Sequence, residues 1–439
     1  MRPVMPSEAR PVPPDHDVRR TWLRERMRTG LWFIPAVAIA AAVVASWAMY
    51  QLDIELGGDR PHVLAFEGDA DRANAILGTI AGSTLTFTGI VFSITAVALQ
   101  LGSSQFSPRA LRTFLRDRGT QWALGVLVAT FTYALLTLLR VDTHAARNEL
   151  AVPGLSVSLA LALVLASLVT FVLFVNHLTQ SIRAVSIIER IAGETRDAVR
   201  DAIPDGPPGP EPPPPDGPPD QVVTWDRGPA VLIGYDEDDL VELARQSGAQ
   251  LRLVHRIGDY LPSGVPAVEV WGGPVDPRQV LRLLGGGIER TMTQDPMFGF
   301  RQLVDIAEKA LSPALNDPTT AVQSIDRLHD LLRRIGTRPQ PTGAHADADG
   351  EMRLVVPVPD WEDFVTLACD EIRHFGAASL QAVRRLRAML TDLATVVPPE
   401  RRAVLDRQHA LLDHAADLAF AHESDRTAAR AGDHQGLGD

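Results

Sequence analysis

Cysteine occurs once in the 439 residues, as Cys369. An internal disulfide is therefore excluded, and so is any zinc site built on several thiolates. Cys369 itself, in "LACDEI", reads as a small buried apolar residue. Lysine is equally scarce: Lys309 is the only one, and arginine carries the rest of the positive charge. With abundant alanine and proline, that preference points to a GC-rich bacterial genome. There is no G-K-[S/T], hence no P-loop, and no G-x-S-x-G nucleophile elbow. The net charge of −12 leaves no general basic surface for nucleic acid. The densest histidines, His409, His414 and His422, fit no metal-ligand spacing. No catalytic site, metal or cofactor is expected, and the chain reads as a non-enzyme.

Long stretches also lack charge, and these define the architecture. A bilayer core of roughly 30 Å needs about 20 apolar helical residues. Four stretches qualify: Leu31 to Leu52, the interval between Arg72 and Arg109, that between Arg118 and Arg140, and that between Glu149 and Arg183. The first follows a long arm and precedes no small-x-small cleavage site, so it reads as an uncleaved anchor. Arg19, Arg20, Arg24, Arg26 and Arg28 precede the first span, and Arg109, Arg112, Arg116 and Arg118 separate the second from the third. The other two loops are poor in arginine. The positive-inside rule then places both termini in the cytoplasm of a bacterial cell, with the protein multi-pass in the plasma membrane. Trp22, Trp32, Trp47 and Trp122 fall near the expected interfaces. His177, near the inner end of the fourth span, reads as an interface residue.

From Leu155 to Ile203 there is no proline and one glycine, Gly193, and the pattern turns amphipathic after Arg183. One continuous helix leaving the bilayer is expected. "PDGPPGPEPPPPDGPPD" follows as an extended proline-rich spacer. "AVLIGY", "LRLVHR" and "AVEVW" read as strands, with a helix capped by Asp236 and ended by Gly248. The joining turn "IGDYLPSGVP" resembles the turn of biotinyl and lipoyl carrier domains. Those carriers need an acceptor lysine, and none lies nearby, so the resemblance is one of shape. From Asp276 the pattern is helical, with "GGG" at Gly285 to Gly287 as a break and "MRLVVPVP" as a strand candidate. The fold class is thus a membrane α-helical domain of four spans plus a cytoplasmic α+β region, mainly helical with a small β module. The expected divisions are an N-terminal arm (1–30), the transmembrane domain (31–182), the helix extension (183–203), the linker (204–220), an α/β module (221–275), a helical domain (276–422) and a disordered tail (423–439).

Two constellations stand out. In the second span Thr79, Thr86, Ser93 and Gln100 recur every seventh residue, and Gly82, Gly89, Ala96 and Ser103 recur three positions on. Together they make one face of small and hydroxylated residues, suited to close helix packing or to a hydrated lining. The second is "ALSPALNDPTTAVQSID", where Pro313 and Pro318 interrupt an amphipathic helix. Ser312 before Pro313 should close one helix, and Asp317 before Pro318 should cap the next, making an elbow. Arg290, Asp295, Asp305, Lys309, Asn316 and Asp317 form a candidate polar cluster around it.

"ERTMTQDPMFGFRQLVDIAEKALSPALNDPTTA", with the four spans and "SSQFSPRALRTF", resembles the hallmark of a large bacterial family of predicted membrane proteins of unknown function. The resemblance implies an architecture and transfers no site or ligand. Two functional readings follow: an oligomeric channel or transport-type protein with a cytoplasmic regulatory domain, or a transmembrane sensor or scaffold relaying to a cytoplasmic partner. The expected partners are the bilayer, further copies of the chain and that unidentified cytoplasmic partner.

Overall fold

The computed structural model describes residues 32–55, 66, 68–105, 118–141, 152–181, 183–203, 205–206 and 217–437. The N-terminal arm, the arginine-rich stretch between the second and third spans, and most of the proline-rich linker lie outside them. The chain divides into two compact parts, with the boundary between Ile187 and Ile188.

The first part holds four helices long and apolar enough to cross a membrane: α1 (Phe33–Glu55), α2 (Ala70–Gln105), α3 (Arg118–Leu138) and α4 (Gly154–Ser181). The central helix is α3, whose apolar window is 44% buried against 28% for the second span. Its Gly125 brings α1 close, since a Cβ there would lie 3.5 Å from the Cβ of Ala38. The core joins Ala73, Leu77, Ile80, Tyr133, Val157 and Ala160. Polar groups tie the helices together. The buried carboxylate of Asp53 accepts the backbone N–H groups of Leu155 (2.8 Å) and Ser156 (3.0 Å) and the Ser156 hydroxyl (2.6 Å), so the end of α1 caps the start of α4. Arg140 donates to the Ser46 carbonyl and hydroxyl and lies over the ring of Tyr50.

The continuous helix expected from Leu155 to Ile203 is instead two: α4 ends at Ser181, and α5 (Ala184–Ala202) begins after a bend at Arg183. No proline or glycine marks the break. What changes is the pattern to be buried: α4 is apolar all round, whereas α5 buries one stripe, Ile187, Ile188, Ile191 and Val199.

The second part pairs two small sheets with a helical array. The five-stranded sheet runs in the order β1 (Gln221–Thr224), β5 (Pro266–Gly272), β3 (Ala249–Leu253), β8 (Met352–Val355), β7 (Ala344–Ala346). The three-stranded sheet runs β4 (Tyr260–Leu261), β2 (Ala230–Tyr235), β6 (Leu284–Gly287). Helix α6 (Glu237–Ser247) carries the expected Asp236 cap and ends on left-handed Gly248, and α7 (Pro277–Arg282) precedes β6. Two features depart from the expectation. Gly285 to Gly287 form a strand rather than a helix break. Glycine is needed there because a Cβ on Gly286 would come within 2.7 Å of the buried Trp225 ring. The sheet also draws in residues 344–355, as β8 pairs parallel to β3.

The helical array is α8 (Pro296–Leu311), α9 (Pro318–Gly336), α10 (Trp361–Gly376), α11 (Leu380–Val396) and α12 (Arg402–Ala419). The tail from Glu423, expected to be disordered, begins with a short helix, α13 (Glu423–Arg430). Polar composition hides it because tertiary contacts hold it: Arg384 and Arg387 donate to the carbonyls of Ala428 and Ala429, and Arg430 pairs with Asp417.

Candidate functional site

The stretch from Arg290 to Gly299 is a clamp. Arg290 grips the buried Asp295 with Nε at 2.8 Å and Nη2 at 3.0 Å, and Asp295 caps α8 by accepting the Phe298 N–H at 3.1 Å. The Gln294 amide pairs with the backbone of Tyr235 in both senses, at 2.9 and 3.1 Å. Two glycines make room for these side chains. A Cβ on Gly234 would meet Gln294 at 2.8 Å, and Gly258, at φ +96°, lies against Arg290 and Asp295. Four residues on, Gly299 lets α8 approach α5, since a Cβ there would fall 1.9 Å from the Thr195 hydroxyl. The clamp therefore fixes the α/β module, the start of α8 and the flank of α5 together.

The candidate polar cluster does not gather at the elbow. Asp295 and Asp317 stand at opposite ends of α8, a helix of 16 residues and therefore about 24 Å long. Between them Asp305 takes the Arg301 Nε at 2.6 Å, while Arg301 Nη1 reaches Glu371 at 2.6 Å and Nη2 faces Glu308 at 3.6 Å. Burial, then the charge of Glu371, raises the Glu308 carboxyl above its ordinary range. Lys309 sits in the last turn of α8, and its carbonyl accepts from the Ser312 hydroxyl. The elbow follows the capping rules. Ser312 is extended before Pro313, and Asp317 accepts the Thr320 N–H (3.2 Å) and hydroxyl (2.6 Å). The open backbone is met by main-chain groups, Asp317 N–H to Ala310 and Asn316 N–H to Ser312. Asn316 contributes its conformation: at φ +46° it is the only non-glycine residue at positive φ among those described.

A cavity of about 810 Å³ opens in the second part. The end of α5 (Ala198, Asp201, Ile203), the clamp (Arg290, Gln294, Asp295), the turn from Arg256 to Asp259 and the segments around Pro339 to His345 and Pro357 to Pro359 line it. Tyr235 and Glu237 stand at the end of β2 and the start of α6. Glu237 accepts a hydrogen bond from His345 Nδ1 at 2.6 Å, and that hydrogen bond holds its carboxyl below the usual range. Burial, then the Glu237 charge, pushes the Tyr235 phenol up to about 12. Sequence reasoning missed Tyr235, Glu237, Arg256, Asp259 and His345, since they come from distant stretches with no common spacing. The one legible signal was the GDYLPSG turn, whose Gly258 and Asp259 line the cavity.

In the membrane part the small-residue face of α2 is uncovered. Thr79, Gly82, Thr86, Gly89, Ser93 and Gln100 are all exposed, while Leu77, Ile80, Ala81, Thr84, Val91 and Ala98 are buried on the opposite side. Among the described residues nothing lies within 4 Å of a Cβ built on Gly78, Gly82 or Gly89. Leu85 and Phe92 flank the stripe and are exposed with it. The Thr79 and Thr86 hydroxyls bond the carbonyls of Ala75 and Gly82. His177 packs against Gly119, with its ring 2.6 Å from the position of a Cβ there. Cys369 is buried, which pushes its thiol up to about 12. Among the described residues no group of histidine, cysteine and carboxylate side chains could hold a metal.

Uncharacterised proteins of Mycobacterium bovis and Mycobacterium tuberculosis are each 33% identical to this chain over 428 residues, covering 93% of it and 80% of the relative. No solved structure matches. The family described as "Predicted membrane protein (DUF2254)" matches residues 28–392, from before the first span to within α11. With its four apolar helices and the clamp and elbow inside that match, the chain belongs to the DUF2254 family of membrane proteins.

Proposed function

We propose that the protein works as a homo-oligomer in the bacterial plasma membrane, in which the second spans of several copies meet and enclose a channel or transport path. The uncovered face of α2 carries this reading. A glycine inside a helix costs about 1 kcal/mol relative to alanine, and a Cβ on any of three of them, Gly78, Gly82 and Gly89, would meet nothing within 4 Å among the described residues. Lipid gains nothing from such a face, whereas a neighbouring helix can approach it closely. Thr79, Thr86, Ser93 and Gln100 supply polar atoms along the same side. A single span of this kind cannot surround water, so several copies are required.

Arginine before the first span and between the second and third supports cytoplasmic termini and a cytoplasmic second part. There it acts as a regulatory domain, not as an enzyme. The test is the mass of the protein in lipid nanodiscs together with ion flux in liposomes. A stable oligomer with flux supports the reading, and a single copy per disc sinks it. The alternative, a sensor or scaffold relaying to a cytoplasmic partner, draws on the cavity, because the end of α5, the helix following the fourth span in sequence, lines it. An oligomer that passes no ion would favour that alternative.

A further inference from the structure

We propose that the cavity of the second part binds an organic cation: a protonated amine carried on an apolar body. Its volume of about 810 Å³ lies within the range of small-molecule sites.

Three observations select the chemistry. The first is charge. Asp201, Glu237, Asp259 and Asp295 line the cavity against Arg256, Arg290 and His345. Both guanidinium groups are already engaged: Arg290 holds Asp295 bidentately, and Arg256 reaches Asp363, outside the lining, at 2.8 Å. Among the described residues no guanidinium pairs with the Asp259 carboxylate, which accepts the Arg256 backbone N–H at 2.9 Å and faces His255 at 3.9 Å. An anion would meet excess carboxylate and no available guanidinium; a cation would meet Asp259.

The second observation is the proline content of the walls. Pro296, Pro339, Pro341, Pro357 and Pro359 lie in them. Proline has a carbonyl and no N–H, so these segments offer acceptors and CH₂ surface, and two amides of the lining are engaged, Gln294 with the Tyr235 backbone and Gln340 with the Pro359 carbonyl at 3.2 Å. An ammonium group, with three donors and no acceptor, complements such a lining. The third is Tyr235. Its phenol is protonated at neutral pH, makes no hydrogen bond with any described residue, and brings a ring face that attracts a cation. Ile203, Ile257 and Met297 supply apolar surface for the body of the ligand.

The site stands apart from the oligomer reading, since all its residues belong to one copy. The test uses the full chain in nanodiscs and three probes sharing one ring system: tryptamine, tryptophol and indole-3-propionate. Tryptamine should bind at least about tenfold more tightly than tryptophol, as a charge-assisted hydrogen bond implies, and indole-3-propionate should bind more weakly than either. Asp259→Asn should weaken tryptamine about tenfold and leave tryptophol unchanged. Ala202→Trp, which fills the cavity, should abolish binding of both. Should Asp259→Asn fail to fold, Tyr235→Leu, which removes the ring face, replaces it and should weaken tryptamine selectively. Equal affinity for all three probes, preference for the carboxylate, tryptamine binding that survives Ala202→Trp, or no binding at all overturns the proposal.

Discussion

Removing the Asp317 carboxylate takes away the acceptor that holds the Thr320 N–H and hydroxyl at the start of α9. Asp317→Ala should therefore lower stability by about 0.5–2 kcal/mol, and Asp317→Asn or Ser should recover most of it, because both residues cap well. Chemical denaturation of the three variants checks this. A second residue makes a pH prediction. His329 Nδ1 accepts from Arg385 Nη2 at 3.0 Å, and its Nε2 faces Asp392 at 2.8 Å. Burial lowers its pKa, Asp392 opposes that, and Arg385 adds to it, with Arg333 beyond. The folded pKa thus lies below the unfolded one. The unfolded chain takes up the proton first as the pH falls, so the stabilisation is present above roughly pH 6.5 and is lost as the pH drops through the folded value. Thermal midpoints across that range should fall with pH in the parent and less steeply in His329→Gln. Some slope will persist from His409, whose pKa burial also lowers. Asp317 was legible in the sequence because capping is local. His329 was not, since Arg385 and Asp392 arrive from α11 more than fifty residues away.

Helix contacts depend on small residues at chosen points. Gly299 sets how near α8 comes to α5. Gly299→Ala should cost about 1–3 kcal/mol through overpacking against Thr195, and Thr195→Ala in the same chain should restore part of it. The double-mutant cycle measures the coupling; independent, additive costs would mean that the two helices do not meet there. The sequence showed most helices and strands through their periodicity and caps, including Asp236 and Gly248 around α6. It hid elements whose existence rests on distant partners. The strand at Gly285 to Gly287 forms because β2 and Trp225 accept glycine backbone, and α13 forms because arginines of α11 hold it. The division between α4 and α5 was hidden for another reason: the break carries no breaker residue, only a change in which faces are buried.

For the whole molecule, the uncharged runs made the four spans readable before any packing was known, since the bilayer imposes one length on each. Their arrangement was less readable. Periodicity alone gave the second span a special face, whereas within one copy the third span is central and the face of the second stands open. The cavity was invisible for a related reason, being assembled from α5, the β2–α6 corner and two proline segments far apart in sequence. Orientation is checked by reporter fusions after Leu150 and after the C-terminal residue, which should give opposite signals; matching signals contradict cytoplasmic termini. The assembly itself is tested by single cysteines on α2 in a Cys369→Ser background, in native membranes. Gly82→Cys and Gly89→Cys should form disulfide cross-links between copies, while Leu77→Cys and Thr84→Cys, on the buried side, should not. Thr86→Cys and Ser93→Cys should react with a water-soluble thiol reagent. If the cysteines at Gly82 and Gly89 instead take up a lipid-phase label and never cross-link, the face meets lipid and the oligomeric channel is wrong.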